Sequence, residues 1–206
     1  MKKLFSLFIF LLLSALLQSQ STFNKSIDAT DLTEVLMVLD NTFQIEITNT
    51  SENKIIISAI SEGEYQNNIL INAKRKDDTL TIFDDIQPFS ENYNDKLSAH
   101  KVIVLKVKIQ LPQYLKVTLT SRIASLKLDA KMKSLFVELN SGDCLLHNFI
   151  GNATINTLDG DIIVYTKNAT INSVTKSGIL SVEKILGQHQ IELKSITGNI
   201  SVYKTK

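Results

Sequence analysis

The chain has 206 residues, 44% of them apolar, with 22 basic and 21 acidic side chains, one cysteine and no tryptophan. This near-balance of charge excludes the clustered basic face of a nucleic-acid binder, and a lone cysteine excludes a disulfide-stapled small domain. A chain of this length can bury a core large enough to be stable without staples.

Met1-Lys2-Lys3 leads into an apolar run from Leu4 to Leu17, and polar residues follow from Gln18 to Thr22. A short cationic start and an apolar run below the ~20 residues of a spanning helix predict a secretory signal peptide over residues 1–20. No cysteine lies near the junction, so a lipid-modified lipoprotein is not expected. Losing Lys2 and Lys3 leaves 20 basic against 21 acidic residues, a net charge of −1. No second segment of spanning length follows. The mature chain is therefore expected to be exported (periplasmic, cell-surface associated or secreted) with no transmembrane segment.

Residues 21–112 read as an N-terminal β-strand section. Phe43–Ile47, Lys54–Ala59, Ile69–Ala73 and Leu80–Phe83 are candidate strands, with turns at Asn49–Asn53 and Lys74–Asp78. Asp84–His100 is polar, contains Pro88 and reads as an exposed loop. From Lys101 to Leu111 the alternation is strict. Ile103, Leu105, Val107, Ile109 and Leu111 share one face, Lys106, Lys108 and Gln110 the other, and Pro112 ends the run.

Residues 113–206 repeat. Gly142, Gly160, Gly178 and Gly198 follow Ser, Asp, Ser and Thr at separations of 18, 18 and 20, and a degenerate copy without glycine surrounds Arg122. Two places after each glycine stand Cys144, Ile162, Leu180 and Ile200; four places after stand Leu146, Val164, Val182 and Val202. Both sets are predicted to point inward as core ladders, with Ala124 and Leu126 as their counterparts in the degenerate copy. A second inward strand precedes each corner: Leu115/Val117/Leu119, Leu135/Val137/Leu139, Ala153/Ile155/Thr157, Ala169/Ile171/Ser173 and Ile191/Leu193/Ser195. No single repeat can bury its apolar side, and stacking copies solves this. The predicted fold is all-β: a single-stranded β-helix or β-solenoid of about five coils in the C-terminal half, continuous with an N-terminal β-meander or sandwich-like section. The glycines are structural corners where a positive φ or close backbone approach is needed. Cys144 sits in a slot that isoleucine and leucine fill in the other coils, so it is assigned to the core.

Catalytic patterns are lacking. His100, His147 and His189 match no metal spacing, and no nucleophile elbow, phosphate-cradling loop or zinc-protease helix occurs. Asp143, Asp159 and Asp161 are good turn formers; Ile179 and Asn199 interrupt their row, and glycine and aspartate are too sparse for the calcium-binding nonapeptide repeat. No catalytic residue, cofactor or metal ligand is assigned.

The strand Val102–Leu111 ending in Leu111-Pro112, the segment Leu115–Ser121 and the successive Ser-Gly-Asp-like corners at 141–143, 159–161, 177–179 and 197–199 resemble the bacterial "putative adhesin" family, also described as head-domain GIN adhesin-like domains. The resemblance covers most of the mature chain. It implies a signal-bearing envelope protein with a β-helical fold and carries over no catalytic residue. This sequence departs from it at Arg122, where the corner glycine is missing, and in the long Asp84–His100 segment. The function expected is a non-catalytic exported envelope protein, an adhesin-like binding or scaffold module whose partner is a cell-surface protein or glycan. The alternatives are a polysaccharide-active β-helix enzyme, which needs converging carboxylates, and a periplasmic sensory or stress-response accessory protein.

Overall fold

The computed structural model describes residues 21–62, 69–86 and 104–205. The expected signal peptide, His100, Ile103 and most of the Asp84–His100 segment lie outside the described residues. Those described form strands and no helix, and so include no helix long and apolar enough to cross a membrane. The strands are β1 (Ser21–Asp28), β2 (Glu34–Val38), β3 (Gln44–Asn49), β4 (Lys54–Glu62), β5 (Ile69–Lys76), β6 (Thr79–Ile86), β7 (Val104–Leu111), β8 (Lys116–Ser121), β9 (Ser125–Ser141), β10 (Cys144–Asp159), β11 (Ile162–Thr166), β12 (Ala169–Ser177), β13 (Leu180–Val182), β14 (His189–Thr197) and β15 (Ile200–Lys204).

Period-two patterning decides what each strand buries. In β7, Leu105, Val107, Ile109 and Leu111 are buried while Lys108 is exposed, and Pro112, with no N–H to give, follows the strand. The long strands β9 and β10 repeat the alternation on two stretches each, interrupted by register shifts in β10 around Asn148 and Gly151. Each thereby contributes to two sides of the molecule. Along one side the hydrogen-bonded order is β5-β6-β2-β8-β9-β10-β14-β12; along the other it is β1-β4-β7-β3-β9-β10-β11-β15-β13. Pairing is parallel throughout except at one end, where β5 joins β6, β4 joins β7 and β1 joins β4, all antiparallel.

The two sides stack in layers of one strand per side: β6 with β7, β2 with β3, β8 with the start of β9, the rest of β9 with the start of β10, the rest of β10 with β11, β14 with β15, and β12 with β13; a corner joins the two strands in every layer after the first. In-register pairs align the inward side chains. One ladder runs Val107–Ile45–Leu126–Cys144–Ile162–Ile200–Leu180, and its neighbour Ile109–Ile47–Leu128–Leu146–Val164–Val202–Val182. The junction at residues 112 and 113 falls between β7 and β8, and parallel pairs cross it from β2 to β8 and from β3 to β9. A single apolar cluster runs from Ala29 through to Val202.

The layers do not follow chain order at either end. The last repeat, β14/β15, lies between the third glycine-cornered layer and its predecessor, so the corner glycines stack as Gly142, Gly160, Gly198, Gly178. The β2/β3 layer is likewise inserted between β6/β7 and β8/β9.

Three expectations change. Leu180 and Val182 keep their ladder register but are 47% and 42% exposed rather than core, because β13 is the terminal strand and no layer covers it. The degenerate copy aligns Leu126 with Cys144 and Leu128 with Leu146, two places later than the Ala124/Leu126 pairing, since the corner after Ser121 is longer; Ala124 is buried within that corner. Asp84 belongs to β6 rather than to a loop. The N-terminal β section also contains β1 and β2, ahead of the first candidate strand at Phe43.

Candidate binding face

The corners are built by side chains that close backbone groups. Asp143 Oδ1 accepts the N–H of Asp161 at 2.9 Å, Asp161 Oδ1 that of Asn199 at 2.7 Å, and Asn199 Oδ1 that of Ile179 at 2.9 Å. A carboxylate or amide one layer away thus satisfies an N–H that the tight corner leaves without a ladder partner. The corners at the opposite edge work similarly, with Asn152 and Asn168 accepting from Gln190 and Gln188. Asp84 accepts the N–H groups of Asp40 and Asn41 and the hydroxyl of Thr42, at 2.8–3.0 Å. Among the described residues no group of three His, Cys, Asp or Glu is placed to hold a metal ion.

Gly142, Gly160 and Gly198 have positive φ, whereas Gly178 does not. At Gly160 (φ 144°) a Cβ would also run into the carbonyl oxygen of Gly142 in the layer beneath, so both torsion and space select glycine. Gly178 is selected by space alone, against the Gly198 carbonyl. Gly151 (φ 147°), outside the repeating corners, is a further positive-φ glycine that the repeat spacing does not point to.

Cys144, Ile162, Ile200, Leu146, Val164 and Val202 are fully buried. Burial, with the nearby Asp143 charge adding to it, pushes the Cys144 thiol far above its ordinary range, so it is not ionised at neutral pH. It offers neither a nucleophile nor a metal ligand.

What remains for chemistry is the outer surface, and one side of it is distinctive. On the outside of β9, β10, β11 and β15 a row crosses the layers: Asp129, His147, Tyr165, Tyr203. His147 Nδ1 lies 3.1 Å from Asp129 Oδ2. The His147 and Tyr165 ring centroids are 5.6 Å apart and tilted, and those of Tyr165 and Tyr203 are 5.1 Å apart and stacked at 26°. These spacings follow the ~4.8 Å strand repeat, so parallel stacking itself holds the rings in contact within the favourable range for aromatic pairs. The adjacent row carries Lys127, then half-buried Leu145 and Ile163, then Ser201. Further along the same side a groove of about 230 Å³ is lined by Gln44, Glu46, Ser58, Ile60, Lys106 and Lys108, with Glu46 and Lys108 3.5 Å apart. His147, Tyr165, Glu183 and Tyr203 each stand five places after a corner glycine, so the repeat spacing marks them as equivalent outward places but sets Glu183 between the tyrosines. The inserted β14/β15 layer is what brings Tyr165 against Tyr203.

This architecture has a solved counterpart. The chain shares its fold with a solved cell-adhesion-type protein. That structure, a "putative cell adhesion protein" from Clostridium sporogenes, is 17% identical, with a TM-score of 0.67, over 91% of this chain and 100% of its own. A "putative adhesin" from Bacteroides fragilis is 15% identical over 90% of this chain and 99% of its own, with a TM-score of 0.45. No family model matches the sequence, and no curated protein does. At these identities the likeness concerns the fold.

Proposed function

We propose that this chain is an exported, non-catalytic cell-envelope protein: an adhesin-like binding module whose residues 113–206 form a β-solenoid continuing the β section of residues 21–112. The observation that carries this reading is the outward row Asp129–His147–Tyr165–Tyr203, flanked by Leu145 and Ile163. Stacked rings held by layered strands present a rigid surface at little conformational cost, with aromatic carbon and polar tips side by side. A cell-surface protein or glycan is the partner class such a surface suits.

Two further points support binding over catalysis. The corner carboxylates Asp143 and Asp161 accept backbone N–H groups rather than converging on a shared space, whereas a glycosidase needs two carboxyl groups flanking one bond. The fold shared with the Clostridium sporogenes protein supports an envelope role.

The test is binding of the purified protein to a glycan array and to immobilised envelope proteins, alongside the Tyr165→Ala/Tyr203→Ala variant. The reading expects at least tenfold weaker capture of the same ligand by the variant, about 1.4 kcal/mol or more, with an unchanged circular dichroism spectrum. Equal capture by both proteins, or release of reducing sugar ends from a polysaccharide, would overturn it.

A further inference from the structure

Positive charge is unevenly placed on this molecule. Lys106, Lys108 and Lys127 point outward from β7 and β9, on the side that carries the aromatic row. Lys131, Lys167 and Lys204 stand along the edge of that side, where β9 crosses to the other side, β11 has just ended and β15 ends. Against these six, the strands from β7 to β15 on this side carry two outward carboxylates, Glu46 and Asp129, and both are engaged. Glu46 lies 3.5 Å from Lys108, and Asp129 lies 3.1 Å from His147. Beyond β15 the Glu183 carboxylate accepts the N–H of Lys204. Among the described residues Lys127, Lys131, Lys167 and Lys204 are exposed and their side chains form no ion pair.

The rest of the surface differs. On the opposite side, from β2 to β12, the outward charges balance: Glu34, Glu138 and Glu192 against Lys116, Lys176 and Lys194. The glycine corners carry Asp143, Asp159 and Asp161.

The lysines also follow the line of the rings. The aromatic row runs between Lys127 on one flank and Lys131, Lys167 and Lys204 on the other. Parallel register sets Lys131 beside Ile150 and Lys204 beside Thr166, with Lys167 next in the chain. Cations and rings thus recur across the layers at the ~4.8 Å strand repeat or its multiples. A surface that repeats its chemistry along one line suits a linear polymer that does the same. A protein partner fits it poorly, because protein interfaces are depleted of lysine and centred on apolar side chains. Here the apolar flank of the row is half-buried Leu145 and Ile163.

We propose that the ligand of this face is an acidic polysaccharide, bearing carboxylate or sulfate groups and lying along the stack. Its sugar rings rest on the row of Tyr165 and Tyr203, and its anionic groups lie among Lys127, Lys131, Lys167 and Lys204. This names the ligand class of the binding face proposed above and rests on that reading. Lysine meets such groups as a hydrated point charge on a flexible stem, so the contact is largely electrostatic and weakens with salt.

Capture of the purified protein on immobilised alginate, dextran sulfate and neutral dextran tests this, at about 150 mM salt, where charges beyond ~8 Å are screened. The expected result is capture on at least one of the two polyanions, little on dextran, and at least tenfold weaker capture at about 500 mM salt. Lys131→Glu/Lys167→Glu/Lys204→Glu should weaken capture at least tenfold with an unchanged thermal transition. Lys116→Glu/Lys176→Glu/Lys194→Glu, the same change of net charge on the balanced side, should weaken it about threefold or less. Capture on neither polyanion, equal loss from the two triple variants, or binding to phosphatidylglycerol vesicles with neither polyanion held overturns the proposal. A neutral glycan held through Tyr165 and Tyr203 but indifferent to the lysine changes would keep the row as a binding face and overturn the acidic ligand alone.

Discussion

Asp161 Oδ1 accepts the backbone N–H of Asn199 at 2.7 Å, across 38 positions of sequence. That span is two repeats, not one, and it records the skipped layer: the chain lays down β12/β13 at the end of the stack, then returns to insert β14/β15 beneath it. Because the bond joins neighbouring layers at a corner, Asp161→Ala leaves one N–H dependent on water. The expected cost is about 1 kcal/mol, a fall of roughly 3 °C in Tm for a domain of this size. Asp161→Asn keeps the accepting oxygen and should be close to neutral. Thermal unfolding of the two variants side by side checks this.

Gly160→Val should be far more damaging. Its φ of 144° lies where a β-branched side chain is strained, and the new Cβ meets the Gly142 carbonyl oxygen. Strain and displacement together should cost roughly 3 kcal/mol, lowering Tm by about 10 °C. A Tm within about 2 °C of the parent would mean the corner is not the tight one described.

Cys144 should resist thiol reagents in the native protein and react once denaturant is added, since its side chain is fully buried. The raised thiol pKa also has a consequence for stability. Above about pH 9, the ordinary value, the thiol ionises in the unfolded chain but stays protonated in the folded one. Stability is therefore complete below that pH and declines above it, by up to about 1.4 kcal/mol per pH unit from this group. Cys144→Val, which fits a slot between Leu126 and Ile162, should remove that slope. Comparing denaturation midpoints of the two proteins at pH 8 and near pH 10 measures it. Identical slopes would place the thiol in contact with solvent.

The inward ladders were readable in sequence because two constraints coincide: apolar residues at period two, and a glycine that resets the register of each copy. Hence Ile162, Val164, Ile200 and Val202 could be placed from spacing alone. Leu180 and Val182 carry the same pattern yet are exposed, because the pattern encodes which side of a strand faces inward and not which copy ends the stack. The order of layers resides in corner chemistry, such as Asn199 receiving Ile179 and Asp161 receiving Asn199, which is invisible until the copies are superposed. The same limit hid the stacking of Tyr165 on Tyr203, because chain order puts Glu183 between them. Asp84 was misplaced for a related reason: it looks like a loop residue, but its carboxylate is committed to the distant corner at residues 40–42.

The binding row, the corner ladder and the exposed end all depend on β14/β15 lying between the β10/β11 layer and the β12/β13 layer, and cysteine pairs can report this directly. Thr154 and Glu192 are register partners on adjacent strands, while Thr154 and Asn172 are separated by the whole of β14. Adjacent strands lie about 4.8 Å apart, within disulfide reach, and strands two apart, at roughly 10 Å, are beyond it. Under mild oxidation of the folded protein, Thr154→Cys/Glu192→Cys should form an intramolecular disulfide and Thr154→Cys/Asn172→Cys should not. The opposite result, with the second pair bridging and the first remaining reduced, would mean that the repeats stack in chain order and would contradict the account.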